Sequence, residues 1–287
     1  MTSSNISILQ LNAEGLTRTK RDLIRHLANR NNISVILLQE THATAEENLN
    51  IEGYNTITFI PNKHNGLATY AREGTHVTST QKSQEDNCIQ WIRVTIGDVS
   101  IINIYKPPPE TVTIRELSPV ASTTITCGDF NSRNTLWGYP GSNADGEMIA
   151  HWAEASDLYL LYDATDDKSF FSGRHKTWTN PDICFVSNSL ASSCKRSVLD
   201  KFPRSRHCPI IVSTEVGMKI NSLGKKRWDF RKADWNKFTI LTDSLSPSSQ
   251  IPYNQHQGRI RPSHQCLAQL PRPPYPRVDV TATFSLG

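Results

Sequence analysis

Apolar residues recur along this chain with two periods, one near two and one near 3.6, and the two rarely overlap. Short apolar or alternating runs bounded by turn clusters predict strands at 6–12, 35–40, 56–60, 66–71, 89–96, 99–105, 123–129, 183–186 and 209–214. The runs at 89–96 and 99–105 are separated only by Gly97-Asp98, a two-residue turn that predicts a hairpin. Helical spacing appears at 18–30, where Leu23, Ile24 and Leu27 form one stripe, and at 145–156, with Ile149, Trp152 and Ala153. Many strands and few helices predict a sheet-dominated α/β domain rich in antiparallel pairing.

The pattern stops at about residue 215. Residues 216–245 become basic and aromatic, and Phe230, Trp235 and Phe238 are spaced for a short amphipathic helix. Seven of the sixteen prolines fall in residues 246–287, which offer little to pack and are expected to be disordered. Three zones follow: a folded domain at 1–215, a basic aromatic linker at 216–245 and a Pro-rich tail at 246–287.

Charge sharpens this division. The net charge is +4, but residues 1–215 hold 20 Lys and Arg against 23 Asp and Glu, whereas residues 216–287 hold 11 against 4. The folded zone is thus slightly acidic, which suits a divalent-cation site, and the basic excess lies beyond it. Mean hydropathy is −0.46, and no apolar run approaches the roughly 20 residues of a membrane span. The first residues lead straight into a strand without the pattern of a signal peptide. Six cysteines show no Cys-x-x-Cys spacing, so reduced thiols and an intracellular setting are expected, without a zinc site or disulfide framework.

The candidate chemistry sits at strand ends. Apolar strands close on Asn12, on Glu40, on Tyr105 and on Gly128-Asp129-Phe130-Asn131. In the last, Gly128 suggests a tight turn, with Asp129 and Asn131 on one side of it. An ordinary Asx-turn is the competing reading. Asp182 and His207 each directly precede an apolar strand, and a carboxylate accepting the imidazole Nδ1–H would fix its tautomer and stabilise the imidazolium. Carboxylates, amides and a histidine, with no serine elbow or cysteine dyad, fit metal-assisted attack by water. Phosphodiester cleavage needs up to ~20 kcal/mol of barrier reduction. One general base supplies only ~3–5 kcal/mol, so a cation and fixed donors must supply the rest.

Leu9-Gln10-Leu11-Asn12-Ala13-Glu14-Gly15-Leu16, Leu38-Gln39-Glu40-Thr41, Asn103-Ile104-Tyr105-Lys106-Pro107-Pro108, Gly128-Asp129-Phe130-Asn131 and Ser205-Arg206-His207-Cys208-Pro209-Ile210 resemble, in this order, the motifs of the endonuclease/exonuclease/phosphatase superfamily. Leu136-Trp137-Gly138 and Arg227-Trp228-Asp229-Phe230-Arg231 narrow the resemblance to the endonuclease domain of jockey-type non-LTR retrotransposon polyproteins. The resemblance covers residues 5–245. It implies a four-layer α-β-β-α sandwich of two mixed sheets, with a metal site at one end. By motif position it implies Glu40 as the principal Mg²⁺ ligand (Mn²⁺ able to substitute), with Asn12 and Asp129 completing the site. Asp129 would orient or deprotonate the attacking water, Asn131 and Tyr105 would hold the scissile phosphate, and His207, oriented by Asp182, would stabilise charge.

The implied activity is Mg²⁺-dependent nicking of double-stranded DNA. It would leave a 3′-hydroxyl primer for a reverse transcriptase and take place in the nucleus, without membrane involvement. Candidate substrate contacts are Arg133, Trp137, Arg174, Thr179 and Arg206. A polyprotein of this kind would continue into a reverse transcriptase, where this chain has its Pro-rich tail. The family usually carries Ser-Asp-His where this chain has Ser205-Arg206-His207. From sequence, Arg206 either repels the imidazolium or grips a phosphate, and impaired nicking that Arg206→Asp would raise is the expectation. The competing functions are a silent retroelement remnant and a phosphodiesterase of the same superfamily acting on a phospholipid or inositol phosphate.

Overall fold

The computed structural model describes residues 3–84, 87–219, 235–237 and 239–240. The chain separates into two units, Met1–Asn221 and Ser222–Gly287. In the second, residues 235–237 and 239–240 are helical; of the expected linker, residues 216–219 belong to the last strand of the first unit, and its remainder and the whole expected tail lie outside the described residues.

The first unit runs β1 (Ser3–Asn12), α1 (Arg18–Arg30), β2 (Val35–Gln39), β3 (Tyr54–Ile60), β4 (Leu67–Arg72), β5 (Val77–Lys82), β6 (Gln90–Ile96), β7 (Val99–Tyr105) and β8 (Thr124–Asp129). It continues through α2 (Ala144–Ala155), β9 (Leu158–Leu160), β10 (Phe170–Ser172), β11 (Thr177–Thr179), β12 (Asp182–Ser187), β13 (Cys194–Val198) and β14 (Ile210–Lys219). One six-stranded sheet has the order β13-β14-β1-β2-β4-β3, the other β5-β6-β7-β8-β12-β9. Each has a parallel pair at its centre, β1 with β2 and β7 with β8, flanked by antiparallel neighbours. β10 and β11 form a separate ribbon.

Period-two alternation builds the layers. Ile6, Ile8, Val35, Leu37, Ile101, Ile125, Cys127, Cys184, Ile210 and Val212 meet in the core between the sheets. Their alternates point outward. Leu9, Leu11, Ile36 and Leu38 pack under α1 through Ile24 and Ala28, while Ile102, Ile104 and Phe185 pack under α2 through Ile149, Trp152 and Ala153. The result is the four-layer α-β-β-α sandwich. Burying each such side chain contributes roughly 1.5–3 kcal/mol, so three apolar layers fix the alignment of the sheets.

Thr17 caps α1 through Lys20 N, and Asn143 caps α2 through Gly146 N. Among the described residues no helix is long and apolar enough to cross a membrane. The five described cysteines are free thiols.

Gly128 corrects the expectation of a turn. It lies inside β8, paired with Ile104 of β7 and Ile183 of β12. A Cβ there would stand 1.8 Å from the Ile104 carbonyl oxygen, so glycine is required by the close approach of a neighbouring strand.

Candidate active site

The inter-sheet face changes character toward one end of the sandwich. On β1 it reads Ile6, Ile8, then Gln10 and Asn12; on β2, Val35, Leu37, then Gln39. On β7 it reads Ile101, then Asn103 and Tyr105; on β8, Ile125, Cys127, then Asp129. β12 runs the other way and begins with Asp182. Register then lines these residues up. Tyr105, Asp129 and Asp182 form one row across β7, β8 and β12, while Asn12 faces Gln39 across β1 and β2. The site is where the inter-sheet core ends.

Asn12 joins the two sheets. Its Nδ2 donates to Glu40 Oε1 at 2.9 Å and to Asp129 Oδ2 at 2.8 Å. Glu40 follows β2 with φ of +48°, and Tyr105 donates its hydroxyl to Glu40 Oε1 at 2.8 Å. Burial first, and then the Glu40 charge, push the Tyr105 phenol far above its usual range, so it stays a donor. His42 Nε2 stands 3.7 Å from Glu40 Oε2 on the open side. Glu14, Glu40, His42 and Asn131 all have positive φ. Among the described residues, four of the eight positive-φ residues other than glycine thus line this cleft, a kind of backbone strain found at many functional sites.

The deeper part is a buried acid–imidazole system. His207 Nδ1 lies 2.8 Å from Asp182 Oδ2, and its Nε2 lies 3.9 Å from Asp129 Oδ2. Ser169 Oγ donates to Asp182 Oδ2 and Gln10 Nε2 to Asp182 Oδ1. Burial alone would lower the His207 pKa, but the charge and hydrogen bond of Asp182 raise it to about 9. Burial, then repulsion from Asp182, raises Asp129 to about 7 despite the opposing pull of His207 and Asn12. The pair is thus tuned apart, with a base near neutrality beside an imidazolium.

Sequence reasoning missed the polar seam under these groups. Gln10 Nε2 also donates to Gln39 Oε1 at 2.8 Å, and Gln39 Nε2 donates to Asn103 Oδ1 at 2.6 Å. Asn103 Nδ2 in turn reaches the carbonyls of Leu38 and Ala68 and Thr69 Oγ1. All four of these side chains are fully buried. The available signal was a polar residue at every other position of an otherwise apolar strand. Ser169 carries no such signal.

The remaining expected residues divide. Asn131 N donates to Asp129 Oδ1, the Asx-turn itself, and its Nδ2 donates to the Lys106 carbonyl. Its positive φ means the chain has left the extended form there, so the shared-face expectation for Asp129 and Asn131 fails. Trp137 is a correction: it is 1% exposed, packs with Phe130 and Ile149 and donates Nε1–H to Ser132 O, so it is core and not a substrate contact. Its neighbour Leu136 is the exposed one.

Arg133 and Arg174 are exposed. Thr179, on β11, is half-buried and bonds Tyr139. Arg206 turns to Glu14, its Nε and NH2 at 2.7 and 2.6 Å from Oε1. Phe170 touches both the guanidinium and the His207 ring, so the repulsion considered from sequence is answered by a carboxylate partner.

The donors offered to a metal are hard carboxylate oxygens, which suit Mg²⁺ or Mn²⁺ over soft metals, while the Asn12 amide nitrogen holds both carboxylates and its oxygen accepts Glu14 N–H. Among the described residues, Asp129, Asp182 and His207 bring potential ligand atoms within 4.8 Å of one another. Both Asp182 oxygens are already engaged by Gln10, Ser169 and His207, so Asp182 serves the imidazole. Asp129 and Glu40, joined through one amide nitrogen, are the carboxylates left to a cation, and a cation there would relieve the pressure that raises Asp129.

Comparison with known proteins bears on the fold that carries this site. Residues 99–211 match the family described as Endonuclease-reverse transcriptase, a stretch that holds Tyr105, Asp129, Asn131, Asp182 and His207. The chain is similar to the RNA-directed DNA polymerase from mobile element jockey of Drosophila melanogaster, 26% identical over 182 residues, 60% of this chain and 20% of that protein. Its counterpart from Drosophila funebris is 27% identical over the same shares. The chain thus spans about a fifth of the length of the curated relatives it matches.

Among solved structures, the endonuclease domain of TRAS1, a telomere-specific non-LTR retrotransposon, superposes with a TM-score of 0.55 at 15% identity, covering 74% of this chain and 99% of that one. An AP endonuclease from Leishmania major gives 0.59 at 17%, covering 73% and 87%. One from Archaeoglobus fulgidus gives 0.58 at 16%, covering 74% and 100%.

Proposed function

We propose that this chain, which carries the endonuclease/exonuclease/phosphatase fold and resembles the jockey-type endonuclease domains, nicks double-stranded DNA with Mg²⁺ to leave a 3′-hydroxyl primer for reverse transcription. The observation that supports it is the convergence of Glu40, Asp129 and His207, 167 residues apart at the extremes, on one cleft through Asn12 and a 3.9 Å approach.

Glu40 and Asp129, held together by the Asn12 amide nitrogen, would hold the divalent ion, which when bound neutralises charge on the nonbridging phosphate oxygens. Asp129, buried at the base of the cleft, takes the proton from the attacking water. His207 stays protonated up to about pH 9 and donates its Nε2–H toward the pentavalent phosphate's oxygens. Asp182 fixes the imidazole through Nδ1, and Gln10 and Ser169 fix Asp182. Asn131, with one N–H committed to Lys106 O, has a second for the phosphate. The single Tyr105 hydroxyl proton is committed to Glu40, so Tyr105 orients the metal ligand and reaches a phosphate only by releasing it.

Relaxation of supercoiled plasmid with Mg²⁺ tests the proposal. Wild type should nick, and Glu40→Ala and His207→Ala should each lose at least ~10³-fold. Nicking that survives both substitutions, or plasmid binding without cleavage by wild type, would sink it.

A further inference from the structure

We propose that Glu14 and Arg206 form a latch that holds Asn12 and His207 at their working separation, so that both are positioning residues for the cleavage reaction. This rests on the endonuclease reading above. The latch ties the loop leaving β1 to the loop entering β14. Arg206 meets Glu14 three times, with backbone N to Oε2 at 2.9 Å, Nε to Oε1 at 2.7 Å and NH2 to Oε1 at 2.6 Å.

Each partner is one step from a functional group. Glu14 N donates to Asn12 Oδ1, and Arg206 is the residue before His207. Ser205 closes the frame, donating Oγ–H to Asn12 O and accepting His207 N–H. On the other side the Arg206 guanidinium lies 5.5 Å from the centre of the Phe170 ring, which lies 4.6 Å from that of His207.

An isolated exposed ion pair contributes little, because water and salt screen it, and the Arg206 side chain is 63% exposed. This pair is different in kind. Glu14 is held at φ +45°, a conformation a glutamate adopts only when partners impose it. Its side chain is 17% exposed, and both of its oxygens are bound, Oε1 by Nε and NH2 of the guanidinium and Oε2 by the Arg206 backbone N–H. Lys20, buried beneath, takes the Ala13 and Glu14 carbonyls through Nζ and leaves the carboxylate to Arg206. The basic residue where the family has an acid is thus paired within this chain.

The test is a double-substitution cycle in the full chain, Glu14→Gln, Arg206→Gln and both, with circular dichroism confirming the fold of each. Each single change should lower the nicking kcat roughly 10-fold with KM within about twofold, since small misplacements of catalytic groups act on turnover. The double variant should lose no more than either single one. In metal-free protein the proton resonance of the His207 Nδ1–H, identified by its absence in His207→Gln, should move alike in all three.

Losses that multiply to ~100-fold, a rise in KM at constant kcat (a phosphate contact) or an unmoved resonance would each overturn the latch. Failure of the endonuclease reading looks different: wild type does not nick, or Glu40→Ala nicks as fast. The resonance then decides the latch by itself.

Discussion

The cleft has an inner and an outer half made of the same kinds of side chain in opposite settings. Inside, the Asp129, Asp182 and His207 side chains are 1, 0 and 5% exposed, and fixed donors from both sheets occupy them. Outside, Glu14, Glu40, His42 and Arg206 are 17, 21, 37 and 63% exposed and sit on loops with strained backbone. The inner half can set protonation states because water is excluded and each charge has a built-in counterpart. The outer half cannot. Its charges are screened, and they act through geometry, by what they hold in place or attract from solution. The two halves should therefore fail differently: an inner change alters turnover and its pH response together, whereas an outer change costs the cation, the coupling between loops or affinity for DNA and leaves the pH response alone.

Short of removing a metal ligand or the imidazole itself, the largest effect should come from the charge behind His207. Asp182→Asn keeps the shape but removes the charge that raises His207, so kcat should fall by about 100-fold, the scale of one acid–base contribution. Burial then governs the imidazole, and its pKa should drop from about 9 to its ordinary value or below, measured by NMR titration without metal. Stability carries the same signature. A histidine whose folded pKa is raised from 6.5 to about 9 contributes stability fully below about pH 6.5, and that contribution is lost as pH rises through about 9. Denaturant midpoints should show this loss in wild type and a flatter profile in Asp182→Asn. An unchanged profile would mean Asp182 is not the charge that His207 feels.

Arg206→Asp comes next and tests the halves against the family pattern. By motif alone it repairs the site and should raise nicking. With Glu14 opposite, it removes the partner of that carboxylate and sets a like charge across the two loops, so the contact between them is lost. Nicking should fall at least ~10-fold. A faster variant would show that the guanidinium obstructs the site.

These contrasts also explain what was legible in the sequence. The long elements were: α1 spans the expected 18–30, and α2 is displaced by one residue because Ser156 is its C-cap. Strands with a long apolar run were found, whereas two edge strands were not: Val77–Lys82 is almost wholly exposed, and Cys194–Val198 turns only Cys194 and Val198 to the core, with Lys195 and Arg196 between them. β9, β10 and β11 have three residues each, too few for a period to show.

In the site, strand ends announced Asn12, Glu40, Tyr105 and Asp129, since chemistry there interrupts an apolar run. Gln10, Gln39 and Asn103 lie inside such runs, and their meaning depends on which sheets face each other. Glu14 and Arg206 are 192 residues apart and join two loops, a relation no local pattern carries. Gly128 was misread because the local rule for glycine is a turn, while its actual constraint comes from a neighbouring strand.

The smallest effect should lie farthest out. Arg174 and Arg133 are exposed residues flanking elements of the second sheet and the β10–β11 ribbon, with no role in holding the inner half. If Arg174 meets a DNA phosphate, Arg174→Ala should raise KM only a few-fold, leave kcat unchanged and reduce the slope of log KM against log salt by about 1. The pH profile should be that of wild type, because a screened charge on a loop cannot reach Asp129 or His207. A change in kcat or in the pH profile would mean that the ribbon is coupled to the buried half, most directly through the Phe170–His207 contact. The division drawn here would then run through the ribbon instead of around it.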